Sequence, residues 1–196
     1  MEGIKYTELM GENVKPLLKY CGNNVRVYQL AKIINPQFAE LDDESKILDF
    51  VFIDAKSSFR LGKYSIITWH CLVEGWANVE IGNRCFVGPG TKILGSTYAF
   101  NGFYTCEHLP EGTHETIFGD IKICDDAYIG ANSVVMPGVT IGEGALVGSN
   151  AFVNKDLDPW GIYVGTPVRK IGEREKPTAE RKKIIDQMNW VNNFIG

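Results

Sequence analysis

No run of apolar residues in this 196-residue chain approaches the roughly 18 that carry a helix across a membrane. A membrane partner is therefore not expected. The opening MEGIKYTELMGENVK lacks the apolar core of a signal peptide. The five cysteines (Cys21, Cys71, Cys85, Cys106 and Cys124) are odd in number, scattered, and contain no C-x-x-C pair. They offer no disulfide framework, and a reduced, cytoplasmic chain is the expectation. A net charge of -4 gives no bulk attraction for nucleic acid, which is not expected as a partner. Histidine is scarce too, at three residues, so any imidazole chemistry must come from His70, His108 or His114.

Glycine is abundant, at 21 residues, as a turn-dense chain requires. The strongest pattern is a register of six. Ile123, Ile129, Val135, Ile141, Val147 and Val153 are evenly spaced, and Ala127, Ser133, Val139, Ala145 and Ala151 follow four residues after the first five. A period of six is neither 3.6 nor 2, so neither a lone helix nor a flat sheet produces it. It fits a solenoid of three short strands per 18-residue turn, with one inward aliphatic per face. The same register is present at Leu61, Ile67 and Val73, and restarts at Ile81, Val87 and Ile93. The step of eight from Val73 to Ile81 implies two extra residues bulging out near Glu74–Asn78. Between Val25 and Ile171 the repeat predicts six to seven turns, a prism about 30 Å tall.

Three segments depart from the register. Residues 1–24 read as an N-terminal cap with a short helix that stops at Gly22. Residues 35–45 (NPQFAELDDES) read as turn-forming and charged, an interruption of the coil. Residues 95–119 (GSTYAFNGFYTCEHLPEGTHETIFG) carry no period and five aromatics, so they read as an ordered excursion that packs on a neighbour and builds a site. Residues 25–172 are then the solenoid, and 173–196 a helical tail in which Ile184, Ile185, Met188, Val191 and Ile195 recur at helical spacing after Pro177. Trp69, Trp76 and Trp160 read as packing residues, and His70, in the middle of an early coil, as a structural histidine.

The run I129-G-A-N-S-V-V-M-P-G-V-T-I-G-E-G-A-L-V-G-S-N-A-F-V-N-K-D, followed by G165-T-P-V-R-K-I, resembles the coenzyme A end of the left-handed β-helix acyltransferases, the hexapeptide-repeat family. The resemblance covers roughly residues 25–174. The Y-V-G-T-P-V-R-K ending, the preceding D-P-W and the aromatic loop look most like N-acetyltransferases acting on nucleotide-linked amino-dideoxy sugars. The fold so implied is all-β, a left-handed parallel β-helix with one long excursion loop and a C-terminal helix. The activity implied is direct transfer from acetyl-CoA to the amino group of a dTDP- or UDP-linked amino sugar, as in surface-glycan biosynthesis. The family also implies a homotrimer with each site between subunits, and no metal.

By position in the family motif, Ala131, Gly148, Ser149, Asn154, Lys155, Thr166, Arg169 and Lys170 are the expected coenzyme contacts. Small residues let the pantetheine arm lie against backbone, and the cations suit its phosphates. His108 is the expected proton acceptor, since neutral imidazole takes up a proton near neutral pH. Glu107 is expected beside it as the orienting or charge-stabilising group. Asn101, Tyr104 and His114 are the expected acceptor contacts. The loop departs from the acidic D-D-x-S-G-N loop of amino-sugar relatives, reading T-Y-A-F-N-G-F instead. Three other readings share the pattern: an O-acetyltransferase for a sugar, serine or antibiotic hydroxyl; a zinc-dependent γ-carbonic-anhydrase-like lyase using three histidines; and a non-catalytic scaffold.

Overall fold

The computed structural model describes residues 9–187. Short parallel strands stack into three flat sheets that close a triangular left-handed β-helix of about seven turns. The first sheet runs from Tyr20–Cys21 to Thr140–Ile141, the second from Arg26–Val27 to Gly161–Val164, and the third from Lys32–Ile34 to Phe152–Val153. Arg169–Glu173 closes the second sheet as its one antiparallel strand. Most strands of the coil send one or two apolar side chains inward. Ile81, Val87 and Ile93 of one coil lie under Ile123, Ile129 and Val135 of the next, all almost fully buried. Burying a column of such side chains is the main stabilising term, since each contributes roughly 1.5–3 kcal/mol.

The early coils follow a period of 20, not 18. Leu41, Leu61 and Ile81 are successive rungs of the first sheet, and Ile47, Ile67 and Val87 of the second. The two extra residues sit each time at the corner between the third sheet and the next coil, at 55–57 and 75–77. Residues 35–45 are not an interruption. Pro36–Phe38 forms a 3₁₀ turn, and Ala39–Leu41 is a strand with Ala39 and Leu41 buried on either side of Glu40. The N-terminal segment forms a 3₁₀ helix, Gly11–Leu17, with Pro16 inside it, and ends before Gly22 because the chain has entered its first strand. The tail helix is Ala179–Gln187, with no buried residue; Met188, Val191 and Ile195 of the expected tail, and residues 1–8 of the expected cap, lie outside the described residues.

Three corners join the sheets. Corner one links the first sheet to the second, corner two the second to the third, and corner three the third to the next coil. The left-handed backbone a tight corner demands is taken by Asn24, Asp126, Asn132 and Asn150, but also by Phe50, Tyr64, His70 and Arg84. These side chains are unusual at positive φ, and the stacked coils hold them there. The first sheet presents alternating charge, with Arg60 bridging Asp42 (2.7 Å) and Glu80 (3.3 Å), and Lys19 on Glu40 (2.6 Å). Cys71 and Cys85 are buried, and burial pushes the Cys85 thiol up to about 12. Trp160 is buried as expected, whereas Trp69 and Trp76 are exposed.

Candidate active site

The excursion is an arm rooted at corner three, where each preceding coil already carries its two extra residues. Ser96–Tyr98 pairs antiparallel with Thr116–Phe118, and Tyr104 N donates to Thr113 O at 2.9 Å further out. At the root, the Glu74 carboxylate accepts from Ser96 N (2.9 Å) and Ser96 Oγ (2.8 Å). Phe118 stacks on Trp76 at 6.4 Å, and Lys56 Nζ lies 3.4 Å from the Trp76 ring centroid. Replacing Glu74 by alanine leaves Ser96 N without its charged partner. We expect faster limited proteolysis within residues 99–115 and a Tm within a few degrees of wild type, since hydrogen bonds to charged groups contribute about 1.5–3 kcal/mol. An unchanged cleavage rate would show that the stack alone holds the root.

Within the arm only Gly95 and Ala99 are buried. Asn101, Tyr104, Glu107 and His108 are all exposed, and Glu107 and His108 make no ion pair among the described residues. His114 is half-buried at the neck, and its Nδ1 is enclosed without a hydrogen-bond partner among the described residues. One chain therefore displays the expected acceptor and proton-transfer residues on a protrusion but does not orient them.

The expected coenzyme residues fall into two groups. Ala131, Gly148, Ser149 and Thr166 lie on corner two of the last three coils, stacked rung on rung. Asn150 N donates to Ala131 O (2.8 Å), and Thr166 Oγ1 donates to Asn150 O (3.0 Å). Arg169, opposite Val164 in the closing strand, stands beside this column. Asn154 and Lys155 instead occupy corner three, beyond the strand Phe152–Val153. Lys155 and Arg169 are exposed and make no ion pair among the described residues, which suits a phosphate partner. Lys170 is already engaged, by Glu173 at 2.7 Å and Asp158 at 3.6 Å; the Glu173 hydrogen bond raises its pKa.

Among the described residues, two concavities of about 430 Å³ lie elsewhere. One covers the charged first sheet around Arg60, and the other lies between Trp160 and the tail helix. Neither includes a candidate residue. Sequence reasoning missed Glu74, and it did not place Trp69 and His70 as an exposed pair on corner two, since that placement depends on the 20-residue period. Among the described residues no group of three or more His, Cys, Asp or Glu side chains is arranged to hold a metal ion, and no helix is long and apolar enough to cross a membrane.

The bacterial transferase hexapeptide family (six repeats) matches residues 120–155. A probable macrolide acetyltransferase of Lysinibacillus sphaericus is 32% identical over 57% of this chain and 68% of its own length. The chain belongs to the hexapeptide-repeat transferase family. Among other members, a chloramphenicol acetyltransferase of Klebsiella aerogenes is 34% identical over 57% of this chain and 58% of that protein. The chain thus spans little more than half the length of such relatives. A dTDP-4-amino-4,6-dideoxy-D-glucose acyltransferase of Escherichia coli is 25% identical over 85% of this chain and 88% of its own. Among solved structures, a variant of AntD, an N-acyltransferase from Bacillus cereus in complex with dTDP and coenzyme A, superposes with a TM-score of 0.82 at 26% identity, covering 93% of this chain and 100% of that one.

Proposed function

We propose that the chain is an acetyl-CoA-dependent N-acetyltransferase that acts on the amine of a dTDP- or UDP-linked amino-dideoxy sugar. The observation that carries this reading is coverage. In sequence, the dTDP-amino-sugar acyltransferase aligns with 85% of the chain, whereas the macrolide and chloramphenicol enzymes align with 57%. The latter support a second reading, acetylation of an antibiotic or sugar hydroxyl, with the same donor. Acetyl-CoA supplies an activated thioester; no metal is invoked. Five free thiols fit a cytoplasmic enzyme.

The site lies, in this reading, between two copies. Ala131, Ser149, Thr166 and Arg169 on one side, and Asn154 and Lys155 on the other, flank opposite edges of the third sheet. One coenzyme touches both sets where corner two of one copy meets corner three of the next. Such a contact joins unlike surfaces, and repeated it closes into a ring, here a homotrimer. Both corners carry the exposed apolar side chains such a contact needs: Phe50 and Trp69 on corner two, Trp76 and Phe118 on corner three. The arm leaves from corner three, so Asn101, Tyr104, Glu107, His108 and His114 reach the acceptor bound against the neighbouring copy. There Glu107 and His108 gain the surroundings one chain does not provide.

The amine attacks the thioester carbonyl directly. The chain contributes proximity and backbone donors along corner two, which count for more than covalent chemistry when the nucleophile is a neutral amine. Thiol release from acetyl-CoA against a panel of dTDP- and UDP-amino sugars tests the reading. We expect turnover with at least one amine and none with the matching hydroxy sugar. Release with chloramphenicol or a macrolide alone would favour the hydroxyl reading.

A further inference from the structure

Corner two changes character along the prism. Its last four rungs are small: Gly88-Pro89-Gly90, Gly130-Ala131-Asn132, Gly148-Ser149-Asn150 and Gly165-Thr166-Pro167. Its first three are bulky, carrying Tyr28 and Leu30, then Phe50, then Trp69 and His70. The change falls between the third and fourth coils, where Gly90 N donates to Trp69 O at 2.9 Å. A coenzyme laid along the small rungs runs into the third coil and no further.

The distance fits. From phosphate to sulfur the pantetheine arm is about thirteen bonds, which an extended chain spans in about 15 Å. Rungs of stacked strands are about 4.8 Å apart, so three steps cover about 14 Å. With the phosphates at Thr166 and Arg169, the thioester falls at Gly88–Gly90. The next rung is His70.

His70 is held differently from the arm histidines. Its backbone is left-handed (φ 60°), which turns the side chain outward from the corner. Its imidazole lies flat on the Phe50 ring, with centroids 4.9 Å apart and planes 3° from parallel, and it is exposed. The stack fixes the ring plane and leaves the nitrogen-bearing edges without a hydrogen bond among the described residues. Its base is a rigid coil, not the tip of an arm, and that rigidity suits a group that must meet a reacting atom. The charged groups on the adjoining rungs are Asp49, whose carboxylate accepts from Leu30 N at 2.9 Å, and Lys92, whose ammonium donates to Gly90 O at 2.7 Å.

We propose that His70 is the general base of the transfer, with His108 and Glu107 of the neighbouring copy's arm holding the acceptor. This rests on the acetyltransferase reading and the coenzyme track above. The neutral imidazole takes a proton from the acceptor nitrogen as that nitrogen bonds to the thioester carbonyl carbon. The carbon–sulfur bond then breaks with its electron pair on sulfur, and the sulfur takes the proton from the imidazolium. No oxidant, metal or further reactant is consumed.

The repeat itself supplies the test variants. Asn132 and Asn150 hold the same left-handed corner position as His70, and so does Gly90. His70→Asn and His70→Gly therefore keep the corner geometry. With the amino sugar that wild type turns over, we expect kcat to fall about 100- to 10,000-fold, an unchanged KM for acetyl-CoA, and loss of the acidic limb of the pH profile. His108→Ala should instead raise the acceptor KM. A kcat within threefold of wild type for both His70 variants overturns the proposal. A second readout needs no turnover. With three histidines in the chain, the imidazole proton resonances are assigned by single substitutions. Addition of coenzyme A should shift the resonance that His70→Asn removes. No shift at saturating coenzyme overturns the placement of His70. Wild type that turns over no amino sugar yet shows the shift defeats the substrate reading and leaves His70 at the thiol.

Discussion

Reversing the charge of both Lys155 and Arg169 to glutamate is expected to raise the KM for acetyl-CoA about 100-fold or more, with kcat at saturating donor changed less than fivefold. Each cation is exposed and makes no ion pair among the described residues, so the reversal breaks no internal bridge. What it removes is charge-assisted hydrogen bonding to phosphate, the stronger class of such bonds, and it adds repulsion. The two residues stand on different corners, so they report on different sides of the proposed groove between copies. Mixing the two single variants is informative. If one coenzyme lies between copies, trimers assembled from Lys155→Glu and Arg169→Glu chains contain some sites with both cations intact and others with neither. The remaining site of each mixed trimer joins two like chains and keeps one cation, so a mixture gives three donor KM values, one of them that of wild type. One uniform, intermediate KM from mixed trimers would place both cations in one chain's site, contrary to the proposed geometry. Steady-state kinetics at constant ionic strength read this directly.

The second large effect is on stability. A methyl group added at Gly130 would sit 2.4 Å from Ser149 N and 2.6 Å from Gly148 C, both backbone atoms of the next coil. Backbone in a stacked ladder cannot rotate aside as a side chain can. Gly130→Ala therefore forces the fifth and sixth coils apart at corner two, straining the bonds from Gly130 N to Val147 O (2.7 Å) and from Asn150 N to Ala131 O. Overpacking of this kind costs about 1–3 kcal/mol, and more where backbone must move. We expect a drop in Tm of several degrees by calorimetry together with a weaker donor KM, because the displaced rung is part of the proposed coenzyme track. An unchanged Tm would mean that the corner relaxes at no cost.

The later coils were legible in the sequence because their turn length is constant. Ile123 to Val153 fills one inward slot every six residues, and nothing but a three-sided coil needs that. The earlier coils obey an equally regular rule of 20, but its two extra residues at corner three look like loss of register when the pattern sought is 18. The strand Ala39–Leu41 was hidden for a related reason. Its inward side chains are two residues, Ala39 and Leu41, set among turn-forming and charged neighbours. The arm was recognisable as an excursion, since five aromatics without a period belong to neither coil nor disorder. Its hairpin pairing and its tie to Glu74 were not, because both depend on contacts between residues 22 or so apart. The coenzyme residues could be named from their motif, yet their division between two corners is a property of how the strand Phe152–Val153 lies. His70 is 61 residues before Ala131 in the chain but only two rungs away along corner two. The distance collapses once each coil is assigned its length.

Val79 pairs directly with Ile121, and Lys92 with Val134, although the arm separates each pair in sequence. The prism closes beneath the arm as if the arm were absent. A change in arm length or content therefore leaves the phase of every strand above and below it intact, and no inward aliphatic is turned to solvent. Under the proposed function, donor handling and acceptor choice are then separable units of the chain, and an arm from another such prism grafted between Gly95 and Asp120 is expected to exchange one without rebuilding the other.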